Sequence, residues 1–216
     1  LRVDDVLCGI YAALLHADGE LAMAASAMEG THFVDRTYLD AHARALETAA
    51  LVVIDANIPA ESVERAIAIA RDAGVPVILE PVSVAKAERI ARIPADVMLM
   101  TPNEAEALVL DGPAVRLRSE WVVVTKGVAG VELRRSEGAV RETRCWHLAA
   151  ASVDAVDVTG AGDALVAGIA FGVRAGAGVG ASVRFGMRMA ERTVAQRGSV
   201  VTDVDSDHAE RVLQEC

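Results

Sequence analysis

A mostly parallel α/β sheet with helices on both faces is the fold this sequence predicts. Short apolar runs of strand length alternate with amphipathic runs of helical period between residues 37 and 127, the mark of repeated strand–helix–strand units. Beyond Gly130 the runs VELRR and RETRCWHLA flank a turn at SEGA, which predicts a local antiparallel excursion. With 216 residues, 53% of them hydrophobic, the chain has enough material for one such core and a small appendage.

The first segment departs from that rhythm. VLCGIYAALL and LAMAASA flank HADGE, and Asp18-Gly19 is a strong turn signal, so residues 6–27 read as a β-hairpin. TYLDAHARALETA then has helical period, and LVVIDA is a short buried strand. ESVERAIAIARDAG is an amphipathic helix closed by Gly74, and VPVILE is the next strand. SVAKAERIARI is helical, DVMLM is a strand, and NEAEALVL starts a helix behind Thr101-Pro102. WVVVTKG is a strand ending in a glycine turn. Two helices follow between residues 160 and about 197, and then a charged helical tail.

The totals exclude some partners. A net charge of −10 and an aromatic content of 3% argue against nucleic acid, which needs a basic face or stacking platforms. An anionic small ligand fits only if backbone N–H groups, a few cations or a metal meet its charge locally. Cys8, Cys145 and Cys216 are odd in number and widely spaced, so they predict reduced thiols and a cytoplasmic protein. The opening LRVDD carries no basic-then-apolar leader pattern. Residues 164–183 carry only Arg174 as a charge, and Gly168, Gly172, Gly176 and Gly180 recur every four positions, as in packed membrane helices. Asp163 and the glycines of RAGAGVG favour instead a helix packed closely on the sheet and interrupted there, with no membrane partner.

In open parallel sheets ligands sit at the carboxyl ends of strands, beside helix N-termini. Three motifs lie at such places. In DVTGAGD, Gly160 and Gly162 lack a Cβ, so the backbone can turn tightly and approach an anion. Asp163 at the lip of that cradle would repel a phosphate that was merely bound. It makes sense as a base that takes the proton of an attacking hydroxyl. The plainer reading is a glycine turn with an acid favoured early in a helix. In TPNEAE, Asn103 and Glu106 at i, i+3 share one side of a first helical turn and suit hydrated Mg²⁺, or are an ordinary acidic helix start. In VVVTKG, Thr125, Lys126 and Gly127 offer a hydroxyl, an ammonium and an amide to phosphates.

Taken together, the three motifs resemble those of the ribokinase-like (PfkB) family of sugar and nucleoside kinases. DVTGAGDALVAGIAFG matches its C-terminal signature, NEAE its N-x-x-E motif, and VVVTKGVAGVEL its nucleotide-side strand and turn. The resemblance implies a three-layer α/β/α sandwich with a small β lid, here residues 1–30, on a core of residues 31–216. It implies Asp163 as general base, with the amides of Gly160, Ala161 and Gly162 as the anion hole. Asn103 and Glu106 would organise Mg²⁺ through water, and Thr125, Lys126 and Gly127 would border ATP. Asp157 and Thr159 stand where relatives hold a monovalent cation, usually K⁺. A homodimer through the lid is implied as well.

VIDANIP and ILEPVSVAKAERI look most like the pseudouridine kinase branch, with Glu80 where an Asp is expected and Lys86 read as a solvated helix cation. Pseudouridine is therefore the first acceptor expected, with ribose, adenosine or another sugar as alternatives. The sequence opens at what resembles the lid, so the family's first strands and most of its sugar ligands have no counterpart in it. DGPAVRLRSE is also shorter than the usual connection, which reads as a missing segment or a deletion. A catalytically idle nucleotide-binding or assembly module is the alternative function, and fusion to another domain stays open.

Overall fold

The computed structural model describes residues 9–15, 21–137 and 142–216. Strands β1 (Ile10–Leu15) and β2 (Leu21–Ala27) form an antiparallel pair from Ile10 opposite Ala27 to Leu15 opposite Leu21, with a register shift between Leu14 and Leu15. The expected turn at Asp18-Gly19, Cys8 and the SEGA turn from residue 138 onward lie outside the described residues. A short 3₁₀ segment, Glu29–Phe33, follows, and the Thr31 hydroxyl donates to the Asn57 carbonyl at 3.1 Å. That bond ties the base of the small sheet to the main body.

The main body is one six-stranded sheet in the order β3-β4-β5-β6-β7-β8. Strands β3 (Val52–Asp55), β4 (Val77–Glu80), β5 (Asp96–Met100) and β6 (Arg118–Thr125) are parallel. β7 (Val131–Glu137) and β8 (Glu142–Leu148) add antiparallel. Helices α3 (Ala60–Asp72), α4 (Val84–Ile90) and α5 (Glu104–Leu110) make the parallel crossovers. Right-handed crossovers that advance in one direction must all fall on one face. Accordingly Val63, Ile67, Ile90 and Leu110 share a core with Val52, Val77, Leu79 and Val97. The chain leaves the sheet through β7 and β8, so α6 (Ala161–Arg174) and α7 (Val179–Val194) cover the opposite face. There Leu165, Ile169 and Val183 pack with Ile78, Leu99 and Val123. α8 (Ser206–Gln214) follows, capped by Asp205.

Three details differ from expectation. TYLDAHARALETA is two short helices, α1 (Arg36–Ala41) and α2 (Ala43–Glu47), because His42 leaves helical backbone at φ −114°, ψ 15°. The His42 ring stacks on Tyr38, and its Nδ1 sits 2.8 Å from the Tyr38 carbonyl. The glycine repeat packs helix on helix rather than helix on sheet: a Cβ on Gly168 would lie 2.6 Å from Gly186 Cα, and one on Gly172 2.6 Å from Ser182 Oγ. Gly176, at φ +81°, instead follows the end of α6, where the interruption was expected. Among the described residues no helix is long and apolar enough to cross a membrane. Residues 111–117 lead directly from α5 into β6, with the amides of Arg116 and Leu117 bonded to the Ala91 carbonyl and Leu117 buried.

Candidate active site

The carboxyl ends of β3, β4, β5 and β6 form one edge, and each contributes a polar loop. After β3, Asn57 donates its amide to Asp55 at 2.8 Å and accepts from Lys86 Nζ at 2.5 Å. Lys86 on α4 is therefore half-buried and bound to the loop after β3, not a solvated helix cation. After β4, Glu80 accepts from the Thr101 hydroxyl and from the Val82 amide. Val82 holds φ +70°, a strained state for a β-branched residue and one found preferentially at functional sites.

Burial pushes the Glu80 carboxyl up from 4.5 to about 7. The bonds from Thr101 and Val82 oppose that rise, and the charges of Glu106 and Asp163 add to it. Glu80 thus sits within electrostatic reach of two further carboxylates. After β5, Asn103 and Glu106 form a complete capping box. Asn103 Oδ1 accepts from the Glu106 amide at 2.9 Å, and Glu106 accepts from the Asn103 amide at 3.0 Å and from Nδ2 at 2.8 Å. Glu106 is buried nonetheless. The helix-start reading of this pair is what its bonds show directly, and the same carboxylate still borders the cavity described next.

That cavity, about 200 Å³, is lined by Glu80, Thr101, Asn103, Glu106, Thr125 and Gly162, among others. A second cavity of about 540 Å³ shares Thr125, Gly162 and Leu165 with it. The larger chamber is mostly apolar. Its lining includes Val128, Val153 and Val158, which are 99%, 39% and 67% exposed. Exposed valines on one concavity have the composition of a ligand wall.

The head of α6 stands where the chambers meet. Gly160 is its N-cap at φ +82°, and a Cβ there would lie 2.4 Å from the Ser199 carbonyl, so only glycine fits. The amides of Gly162 and Asp163 make no hydrogen bond among the described residues. Ala161 and Gly162 line the larger chamber, and Asp163 lies exposed in the first turn.

Two expected ligands are engaged elsewhere. Lys126 borders neither chamber, because its Nζ pairs with Glu132 at 2.6 Å; that bond and one from Arg134 hold Glu132 below the usual carboxylate range. Asp157 accepts from the amides of Thr159 at 2.9 Å and Gly198 at 3.2 Å, bonds that lower its carboxyl and staple the glycine turn to the segment after α7. Glu80, Thr101 and Glu191, a side chain of α7 that lines the larger chamber, are site residues the motif reading did not assign. Only Glu80 carried a local signal, a strand-end acid before proline.

The family model for pfkB carbohydrate kinases matches residues 3–205. The chain belongs to the pfkB family. Among curated pfkB relatives, pseudouridine kinase of Escherichia coli (strain K12) is 30% identical over 174 residues, covering 74% of this chain and 53% of that one. Ribokinase of Bacillus subtilis (strain 168) is 30% identical over 160 residues, covering 71% and 52%. The chain thus spans about half the length of these two proteins. A solved carbohydrate kinase from Agrobacterium tumefaciens superposes with a TM-score of 0.73 at 27% identity, over 97% of this chain and 69% of that chain. The expected three-layer pfkB sandwich, with a small antiparallel sheet at its N-terminal side, is the architecture observed.

Proposed function

We propose that this chain carries the phosphoryl-transfer centre of an ATP-dependent kinase that acts on a hydroxymethyl group of a sugar or nucleoside, with pseudouridine as the preferred acceptor. The observation that carries the reading is the meeting of the two chambers at the uncapped head of α6, beside Asp163. The 540 Å³ apolar chamber has the size and lining for a nucleoside. The unbonded amides of Gly162 and Asp163, with that of Gly160, are the donors for the transferring phosphoryl, and the Ala161 amide, bonded to the Val158 carbonyl at 3.3 Å, would have to exchange that partner to join them. Asp163 takes the proton of the acceptor hydroxyl as its oxygen bonds to the γ-phosphorus, and the bond to the ADP oxygen breaks.

Hard oxygen donors and clustered negative charge in the smaller chamber fit Mg²⁺, which keeps most of its water and takes few protein ligands. Asn103 and Glu106 would hold the ion through water, with Glu80 facing them. When bound, the ion neutralises phosphate charge.

The acceptor assignment rests on the pseudouridine kinase relative and on the runs VIDANIP and ILEPVSVAKAERI; ribose is the alternative that the ribokinase relative supports. We read residues 1–30 as part of a lid and residues 31–216 as the core. A second copy would cover β1 and β2, where Ile10, Tyr11, Leu14 and Met23 are each more than half exposed and a two-stranded sheet alone is marginal.

The deciding experiment is Asp163→Asn, assayed with pseudouridine, ribose, adenosine and fructose. Turnover should fall by about three orders of magnitude or more while ATP binding stays within a few-fold. Near-parental phosphorylation by that variant removes Asp163 as the base. ATP binding by the unsubstituted chain without turnover on any acceptor supports instead an idle nucleotide-binding module.

A further inference from the structure

Glu191 is the only charged side chain lining the larger chamber among the described residues. One of its oxygens accepts the Ala151 amide at 2.7 Å, across 40 residues of chain. The other has no hydrogen bond or ion pair among the described residues. A carboxylate in a chamber built for a polyanion has a directional consequence. Phosphates are drawn to the uncapped head of α6 and repelled by Glu191, so the nucleotide lies with its base toward α7. Val153, Val158 and Val194 supply apolar surface along the way. Glu191 is half-buried, and a carboxylate oxygen at the base end accepts N–H groups and disfavours carbonyl oxygens, because one lone pair set against another leaves both unpaired.

We propose that the free carboxylate oxygen of Glu191 receives the exocyclic amino group of adenine, and that this contact makes the chamber select ATP over nucleotides bearing a carbonyl at that position. The inference rests on the nucleotide reading of the chamber given above. Glu191 has two duties on this view: one oxygen fixes the loop wall at Ala151 and the other reads the base.

Glu191→Gln separates them. Its carbonyl oxygen can keep the Ala151 bond, while its amide nitrogen turns the free acceptor into a donor suited to the 6-carbonyl of hypoxanthine. The experiment is calorimetric titration of the unsubstituted chain, Glu191→Gln and Glu191→Ala with MgATP and MgITP. Thermal melts accompany it to show that the Gln variant keeps the parental fold. The unsubstituted chain should bind ATP about tenfold or more tighter than ITP. The Gln variant should erase or reverse that ratio with an unchanged melt, and the Ala variant should erase it without reversal. ATP binding with the same ATP/ITP ratio in all three proteins overturns the role of Glu191 and leaves the nucleotide chamber standing. No ATP binding by the unsubstituted chain overturns both.

Discussion

Two helix heads face the same small cavity, and they are finished in opposite ways. α5 is sealed by its own side chains: Asn103 and Glu106 satisfy each other's amides in a complete capping box. α6 begins on a left-handed glycine, and among the described residues it has no side-chain cap and no partner for the amides of Gly162 and Asp163. Unsatisfied donors at a helix head are costly unless water or a ligand takes them. The difference shows where an anion belongs. The α5 head already carries a buried carboxylate and repels one, whereas the α6 head has donors to offer.

The comparison can be broken most severely at Gly160. Gly160→Ala would set a methyl group against the Ser199 carbonyl and force φ +82° on a residue with a Cβ. A loss of about 3 kcal/mol of stability is expected by urea unfolding, together with loss of nucleotide binding; a parental midpoint would show the α6 head to be less constrained than argued.

Next in size is Glu80, on the wall facing both heads. The unfolded chain gives up this proton near pH 4.5 and the folded protein near 7. Stability therefore falls as pH rises between those values and stays lowered above them. In metal-free buffer at pH 8, Glu80→Gln should unfold with about 3 kcal/mol more stability than the parent, and with no advantage at pH 4. Equal differences at both pH values would contradict the burial argument.

Asn103→Ala removes one half of the α5 seal and should cost about 1 kcal/mol. Glu106→Gln keeps an acceptor for the Asn103 amide and should change stability less. Its effect should appear instead as a higher Mg²⁺ requirement for turnover, and an unaltered Mg²⁺ titration would confine Glu106 to capping. The smallest effect on folding is expected at Gly162, where a Cβ meets nothing within 4 Å. Gly162→Ala should melt like the parent, yet bind nucleotide more weakly because its methyl enters the space both chambers share.

The sequence by itself determined the alternation of strands and helices, the antiparallel return after Gly130, and the three motifs at strand ends and a helix head. Each of these depends on local periodicity or on glycine and proline chemistry, which neighbours in the chain carry. It also placed Asn103 with Glu106, because a spacing of three residues on a first turn is a local fact. Where tertiary contacts compete, local signals ran out. His42 broke a helix whose period was sound, β6 started at Arg118 ahead of its apolar run as Arg118 bonded to Ala95, and Lys126 turned to Glu132 across the β6–β7 turn. Lys86 found Asn57, 29 residues away, and Glu191 reached Ala151, 40 residues away.

Only the tertiary structure decided that Glu80, Glu106 and the head of α6 border one cavity, and that among the described residues Glu191 alone brings charge to the chamber beside it. The physical reason is that burial and electrostatic neighbourhood belong to surfaces brought together by folding. Helix starts, turns and strand faces are set by the few residues on either side.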